Sequence, residues 1–246
     1  MKYKSVYFFG TCITDMIFSK TGLASIRLLK KAGIEEIIFP KGQSCCGQPA
    51  YNSGYTQDAY DVAAKQIELF SKESIPIVVP SGSCAGMMQE HYPELFHGTS
   101  MYQQAVSFSK RVYELATFLV QECNVQYKDT KAPIRITWHS SCHALRESHC
   151  IEDAKSLLRQ LENVELMELE REYECCGFGG TFSVKMPELS VAMANAKVED
   201  IQNTNALRVI SSDSACLLNI GTTMEFQNIP IKAQHIADFL WERVYE

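Results

Sequence analysis

The cysteines of this chain have a number and spacing that indicate a chemical site, because eight of the ten fall into two sets with matching spacing. In each set a single cysteine precedes a contiguous pair by 33 positions, and a fourth follows the second member of that pair by 38 or 40 positions. An offset of 130 positions between the sets indicates an internal duplication. Cys123 and Cys150 lie outside the pattern and are predicted to be ordinary core or surface cysteines. The first set is Cys12, Cys45, Cys46 and Cys84, and the second is Cys142, Cys175, Cys176 and Cys216.

Four cysteines that converge in space match the usual protein ligands of a 2Fe-2S or 4Fe-4S cluster. Adjacent side chains of an extended strand point to opposite sides, so a contiguous pair can serve one site only where the backbone turns between its members. Gly47 and Gly177 follow the two pairs, and glycine allows such a turn through a positive φ. We therefore predict one iron-sulfur cluster per repeat, of a type that the spacing leaves open.

Two other uses of the cysteines stay open. Zinc also accepts four cysteine ligands, although structural zinc sites usually contain short C-x2-4-C pairs. A zinc site would suit a module whose role is to hold an assembly together. Redox chemistry at the contiguous pairs would suit a thiol-disulfide reductase. Glu172 and Glu174 precede the second pair and are expected to raise its thiol pKa, which disfavours reactive thiols there.

Apolar runs alternate with helical patterns along both halves, which is typical of parallel α/β units. We predict an α/β fold of two pseudo-symmetric, duplicated lobes with parallel sheets, over 1–125 and 131–246, with a linker near 124–133. All three cysteine positions of each half follow predicted strands, and the carboxyl ends of parallel strands form the natural site. Polar loops are predicted to carry Cys84 and Cys216. The predicted strands are 6–12, 37–39, 75–79, 136–142, 164–169 and 207–210, and the predicted helices are 23–31, 57–70, 112–122, 151–161, 188–201 and 236–244.

Composition excludes several classes of function. The 246 residues are 46% hydrophobic and 21% charged, which is enough apolar material to bury a substantial core. With a net charge of -6 and no basic stripe, nucleic acid and anionic membrane surfaces are not expected as partners. No apolar stretch approaches the roughly 20 residues of a membrane-spanning helix. Without an export signal we expect a cytoplasmic protein, and in that reducing compartment clustered cysteines are more often metal ligands than disulfides.

The segments around the cysteines resemble those of a known family, the cysteine-rich CCG-domain proteins. The resemblance implies an iron-sulfur electron-transfer subunit of an oxidoreductase complex, working with sister subunits of which one is ferredoxin-like. Similarity is strongest to lactate-utilization members, which implies oxidation of L-lactate, or a similar 2-hydroxy acid, to pyruvate. Met87 and Asn219 stand where heterodisulfide reductase relatives have one more cysteine, so we expect a four-cysteine or open-site cluster rather than a five-cysteine one. The segments are FGTC (9–12), QSCCGQPAYNSG (43–54), PSGSC (80–84), CCGFGGTFSVKM (175–186) and CLLNI (216–220).

Oxidation of a hydroxy acid also needs groups that bind a carboxylate and move a proton. His139 and His143 flank Cys142, and either could be a base, a metal ligand or a hydrogen-bond donor, with an ordinary structural role as the competing interpretation. Lys185 follows the second glycine turn and is a candidate anion contact. The run 177–180 lacks the spacing of the known nucleotide-binding loops, so no nucleotide is predicted there.

Overall fold

The computed structural model describes residues 2–246 as two α/β lobes, each built on a four-stranded sheet. Every neighbouring pair of strands is parallel, and this confirms the predicted fold class. The strands of the first lobe are β1 (Ser5–Phe8), β2 (Glu36–Ile38), β3 (Ile77–Val79) and β4 (Val112–Glu114), and those of the second are β5 (Ile134–Trp138), β6 (Val164–Met167), β7 (Arg208–Ser211) and β8 (Lys232–His235). The sheet orders, β2-β1-β3-β4 and β6-β5-β7-β8, are the same arrangement repeated.

Helices connect the strands of both sheets. In residues 2–246 none of them is long and apolar enough to cross a membrane. The first lobe contains α1 (Cys12–Met16), α2 (Ser19–Lys31), α3 (Gln48–Asn52), α4 (Thr56–Leu69), α5 (Gly82–Gly86), α6 (Tyr92–Leu95), α7 (Tyr102–Ser109) and α8 (Leu115–Thr117). The second contains α9 (Ile151–Arg159), α10 (Phe182–Lys185), α11 (Pro187–Asn203), α12 (Ser214–Phe226) and α13 (Ile236–Tyr245). Three π-helical segments are Met87–His91, Phe118–Glu122 and Ala144–Ser148.

The fourth strand of each sheet was not predicted from the sequence. β4 takes the first three residues of the segment predicted as helix 112–122, so that part of the prediction is wrong. β8 immediately precedes the helix predicted over 236–244, which the structure has as α13. Both strands are short edge strands, and sequences such as Lys-Ala-Gln-His have no apolar run that would mark them as buried strands.

A hydrophobic core continues from one lobe into the other. Phe8 and Leu28 of the first lobe belong to the same buried cluster as Trp138 and Phe239 of the second. Helix α2 packs against α13, where the Thr21 hydroxyl also donates a hydrogen bond to the Asp238 carboxylate. Because burial of large apolar side chains is the main favourable term in folding, this shared core holds the lobes together.

The segment predicted as a linker, 124–133, runs along α13. The guanidinium of Arg243, on α13, forms a buried ion pair with Asp129 and also donates to the carbonyl of Ala132, with an Nη1–O distance of 2.8 Å. The Thr130 hydroxyl donates in turn to the Arg243 carbonyl at 3.2 Å. The connection between the lobes is therefore attached to the second lobe at 129–132, whereas the backbone N–H groups of Asn124 and Val125 still bond to the first lobe. The division at 1–125 and 131–246 stays a prediction.

A buried carboxyl group, Glu114, begins the last helical segment of the first lobe. It accepts hydrogen bonds from the backbone N–H groups of Ala116 and Thr117 through Oε2, whereas its Oε1 has no partner within residues 2–246. Burial raises the pKa of Glu114 from 4.5 to about 8. The folded state then keeps a proton that the unfolded chain has already released, so the free energy of unfolding falls as pH rises from about 4.5 to about 8.

We expect Glu114→Gln to flatten this pH dependence, because an amide has the shape of the protonated acid and does not titrate. The difference between the two profiles is at most about 5 kcal/mol across the window. Urea unfolding of the wild type and the variant at pH 5 and pH 8.5 measures it. Parallel profiles would show that Glu114 is not the group responsible.

Candidate functional site

The cysteines of each lobe gather at one edge of its sheet, where the strand order reverses. Cys12 follows β1 and Cys84 follows β3, and these two strands are neighbours. The pair Cys45 and Cys46 follows β2, on the other side of β1. The connections that leave the neighbouring strands β1 and β3 run in opposite directions across the sheet, to β2 and to β4, and the crevice that opens at such a point is where α/β proteins bind ligands. The second lobe repeats this placement with β5, β6 and β7.

The last cysteine of each set lies in the first turn of a helix, not in a polar loop as predicted. Cys84 lies in α5 and Cys216 in α12, and both are buried. The Ser81 hydroxyl caps α5 by accepting a hydrogen bond from the Cys84 N–H at 3.3 Å. A polar serine-rich segment is typical of loops and of helix N-termini alike, and here it begins a helix.

Both sets of cysteines line a single cavity of about 460 Å³ between the lobes. One wall comes from α3 of the first lobe, with Gln48, Pro49 and Asn52. A second part of the wall comes from 179–185 of the second lobe, including Lys185. The walls touch where the Ser53 and Thr181 hydroxyl oxygens lie 2.5 Å apart. The eight predicted ligands are thus brought together in two adjacent groups, and Cys123 and Cys150 do not line the cavity.

Within each group the thiols contact one another, and all ten cysteines are free. In the first lobe the Sγ atoms of Cys12 and Cys45 are 4.0 Å apart, and those of Cys46 and Cys84 are 3.4 Å apart. Hydrogen bonds from Cys12 and Cys46 hold the pKa of Cys45 well below its usual range. In each contiguous pair the first cysteine is therefore the more readily ionised member, since Cys175 repeats this pattern in the second lobe.

The expectation that acidic neighbours raise the thiol pKa of the second pair is wrong for Cys175. Hydrogen bonds from Cys142, Cys176 and the Gly177 N–H lower the pKa of Cys175. The Glu172 carboxylate points away to the Lys155 ammonium, with an Oε2–Nζ distance of 2.8 Å, and accepts a hydrogen bond from the Ser140 hydroxyl. Proximity in sequence gave the wrong sign because the glutamate is neutralised elsewhere.

Two side chains for which the sequence predicted no positioning role hold the contiguous pairs in place. The Tyr92 hydroxyl donates to the Cys46 carbonyl at 2.9 Å, and the Asn219 side-chain amide donates to the Cys176 carbonyl at 2.8 Å. The two carbonyls are equivalent at the 130-position offset. Asn219, noted in the sequence only as a missing cysteine, therefore positions a neighbouring one.

The remaining candidates occupy three different environments. His143 lines the cavity, with its Nδ1 3.3 Å from the Cys142 Sγ and its Nε2 3.7 Å from the Glu147 carboxylate. Lys185 also lines the cavity, and its Nζ lies 5.2 Å from the centre of the Tyr55 ring. His139 is fully buried behind the cysteines, and burial lowers its pKa to about 4.

Gly177 is essential to the turn at the second pair. Its φ is +84°, and an added Cβ would lie 2.6 Å from the Ser190 carbonyl oxygen. Gly47 has nearly the same φ, +88°, but the nearest atom to an added Cβ is 3.4 Å away. The two glycines share a backbone conformation and differ in available space.

We expect Gly177→Ala to disturb the second cysteine group more than Gly47→Ala disturbs the first. Both variants carry the cost of a left-handed alanine, about 1–2 kcal/mol, and only Gly177→Ala adds a backbone clash. Metal content per chain and urea unfolding, measured on both variants, test this. Equal losses of metal and of stability in the two variants would mean that the positive φ, and not the clash with Ser190, determines the effect.

The donor sets fit a thiolate-ligated metal group. Thiolates are soft ligands that select iron-sulfur clusters, zinc and Cu(I). Each set combines four free thiols, one of them with a strongly lowered pKa, on the wall of a shared cavity. In addition, both ring nitrogens of His139 are buried without a hydrogen-bond partner in residues 2–246, beside Cys176 and Cys216. A buried polar group left unpaired in this way is expected where a ligand completes the site.

Known proteins resemble this chain over nearly its whole length. The profile of the cysteine-rich domain family CCG matches twice, at 6–89 and 136–221. "Lactate utilization protein A" of Geobacillus sp. (strain WCH70) is 41% identical over 239 residues, covering 97% of this chain and 99% of that protein. "Lactate utilization protein A 2" of Bacillus cereus (strain Q1) is 41% identical over 236 residues, covering 96% and 97%. A crystal structure of a hypothetical protein from Helicobacter pylori has the same fold, with a TM-score of 0.68 at 10% identity over 100% of this chain and 51% of that one.

Proposed function

This chain belongs to the cysteine-rich CCG family, and we propose that it is an iron-sulfur electron-transfer subunit of an oxidoreductase complex that oxidises L-lactate, or a similar 2-hydroxy acid, to pyruvate. The observation that carries the proposal is the convergence of eight free thiols, in two groups of four, on one cavity. The names of the relatives support the choice of lactate. The proposed partners are sister subunits, one of them ferredoxin-like, in the cytoplasm.

Each lobe would hold one iron-sulfur cluster through its own four cysteines. An iron-sulfur cluster bound there supplies one-electron transfer at a potential that its surroundings adjust. The residues of this chain contribute the surroundings: the Gly177 N–H donates to the Cys175 sulfur at 3.4 Å, and the buried carbonyls of Cys46 and Cys176 are fixed by hydrogen bonds. Cys46, Cys84, Cys176 and Cys216 are buried, so one side of each group is shielded from water.

Lys185 and His143 are the proposed contacts for a substrate carboxylate. Of the described residues that line the cavity, Lys185 is the one with a permanent positive charge. His143, which also lines the cavity, presents a ring that can donate or accept a hydrogen bond. A small 2-hydroxy acid needs one contact of each kind, to neutralise its carboxylate and to orient its hydroxyl group.

Zinc in a module that holds an assembly together is the second candidate. It is favoured by a specific observation, the three donor atoms of His139, Cys176 and Cys216 within 4.8 Å of one another. Such a compact group suits a single metal ion.

Iron and sulfide analysis of anaerobically purified protein, with low-temperature EPR before and after dithionite, separates the candidates. The proposal predicts about two to four iron atoms per filled site and a signal that reduction changes. The native complex, purified through this chain, should also show the reduced signal on addition of L-lactate. Zinc alone after strictly anaerobic handling, with no uptake of iron and sulfide on reconstitution, would refute the electron-transfer role. A reduced signal with glycolate but not with lactate would refute the choice of substrate.

A further inference from the structure

His139 is a buried imidazole for which the surrounding protein provides no hydrogen bond. Its side chain is 0% exposed, and in residues 2–246 neither Nδ1 nor Nε2 has a partner. Most buried polar side-chain atoms are paired, because an unpaired one loses its hydration without compensation. Together with the sulfurs of Cys176 and Cys216, His139 forms a group whose three donor atoms lie within 4.8 Å of one another.

The other fully buried histidine, His235, shows that this situation is specific to His139. His235 begins α13, where its Nδ1 accepts a hydrogen bond from the Ala237 N–H at 3.1 Å. Its Nε2 lies 3.0 Å from the Ser212 carbonyl, to which it donates. Both nitrogens of His235 are therefore used within the protein, and those of His139 remain available to a ligand.

The duplication places a phenylalanine at the matching position of the first lobe. Phe9 precedes Cys12 by the same three positions that separate His139 from Cys142. It is fully buried and packs on Phe70, with ring centres 5.6 Å apart. A phenyl ring cannot bind a metal, so the first lobe offers sulfur alone at the place where the second offers a nitrogen.

We propose that His139 is a ligand of the second centre and binds one metal atom together with Cys176 and Cys216. Donors that share a tetrahedral metal atom lie about 3.5–3.8 Å apart, so only a small closure of the present group is required. This inference rests on the proposed function insofar as a metal group occupies the second lobe. It makes the two centres chemically different, with a nitrogen donor in one and sulfur donors alone in the other. Because histidine ligands in place of cysteine change the potential of an iron-sulfur centre, centres with these different donor sets are expected to have different potentials.

Pulsed EPR of the reduced, full-length protein carrying ¹⁵N-labelled histidine tests the ligand directly. The expected result is a strong ¹⁵N coupling that His139→Phe abolishes and that His143→Phe and His149→Asn leave in place. The Phe substitution reproduces the residue that the first lobe tolerates at this position, and His149 is exposed and serves as the matched control. With iron bound in the second lobe, absence of the coupling, or its loss in His143→Phe instead, would overturn the inference.

Cobalt(II) binding to the metal-free protein keeps the test independent of the iron-sulfur proposal. We expect His139→Phe to shift the ligand-field bands of bound cobalt and to weaken its binding at least about tenfold, since loss of even an outer-shell partner of a ligand costs that much. An unchanged spectrum and affinity would refute the role of His139 as a ligand. Absence of iron and sulfide from the wild type, together with the expected cobalt result, would refute the proposed function and leave His139 as a ligand.

Discussion

Cys176→Ser is expected to remove the second centre while the fold and the first centre remain. Cys176 is 2% exposed, and in the folded protein its thiol donates a hydrogen bond to the Cys216 sulfur. A serine hydroxyl at the same place is a hard, weak ligand, whereas iron and zinc centres of this kind need thiolate. The surrounding cluster, with Val198, Ile201 and Ile220, is apolar and does not depend on the thiol.

The expected magnitude is loss of about half of the bound iron and sulfide, since one of two four-thiol sites is disabled. Burial of the new hydroxyl costs about 1–3 kcal/mol, which leaves a domain of this size folded. Iron and sulfide per chain, circular dichroism and urea unfolding, all on anaerobically prepared protein, measure the two effects separately.

Two variants control this experiment. Cys46→Ser makes the same change at the equivalent position of the first lobe, so it should remove the other half of the iron and the other EPR component. Cys123→Ser lies outside both groups and should retain all of the iron. Full iron content in Cys176→Ser would contradict the assignment of this cysteine as a ligand. Loss of iron from Cys123→Ser would show that iron content follows the number of cysteines and not membership of the two groups.

The sequence predicted the lobes and the members of each cysteine group because both depend on local patterns. A 130-position offset identifies the duplication, and parallel strands necessarily bring Cys12, Cys46 and Cys84 to one edge of a sheet. The glycines after the two pairs could likewise be assigned a positive φ, which the structure confirms at +88° and +84°.

Contacts between the lobes could not be predicted, because no local pattern records which surfaces face each other. The single cavity and the part of its wall that contains Lys185 depend on which surfaces of the lobes meet. The Tyr92 hydrogen bond to Cys46, within the first lobe, likewise joins residues far apart in the chain. The sign of the pKa shift at Cys175 was wrong for a related reason: the ion pair of Glu172 with Lys155 joins positions 17 residues apart. His139 stood out in the sequence, but its lack of a partner became visible only in the packed structure.

Asp213 of the second lobe makes a hydrogen-bonded contact with the first lobe, and a large effect is expected when this contact is removed. Asp213 lies immediately before α12, yet its carboxylate does not cap that helix. It accepts hydrogen bonds instead from the hydroxyls of Ser81 and Ser83 and from the Ser83 N–H, with the Ser81 Oγ at 2.8 Å. Ser81 stands three positions before Cys84 as Asp213 stands three before Cys216, so the contact joins equivalent positions of the two repeats.

Asp213→Ala is therefore expected to weaken the contact between the N-termini of α5 and α12, the helices that carry Cys84 and Cys216. We call this contact the joint. The hydrogen bonds are charge-assisted, and their loss leaves the Ser83 N–H and at least one of the two serine hydroxyls unpaired, so we expect the free energy of unfolding to fall by about 2–4 kcal/mol. Because each helix positions one buried cysteine, metal content should fall in both lobes rather than in one. Asp213→Asn, which keeps one acceptor oxygen, should lose less.

A second contact between the lobes provides the matched control. Asp238 accepts a hydrogen bond from Thr21 where α2 packs against α13, away from the cysteines that line the cavity. Asp238→Ala should lower the free energy of unfolding while both centres keep their metal. Urea unfolding and metal content of the two variants, with Ser81→Ala to complete a double-mutant cycle, separate general lobe packing from the joint at the site. If Asp213→Ala retained its full metal content in both lobes, the geometry of the two centres would be independent of this joint, and each lobe would position its cysteines alone.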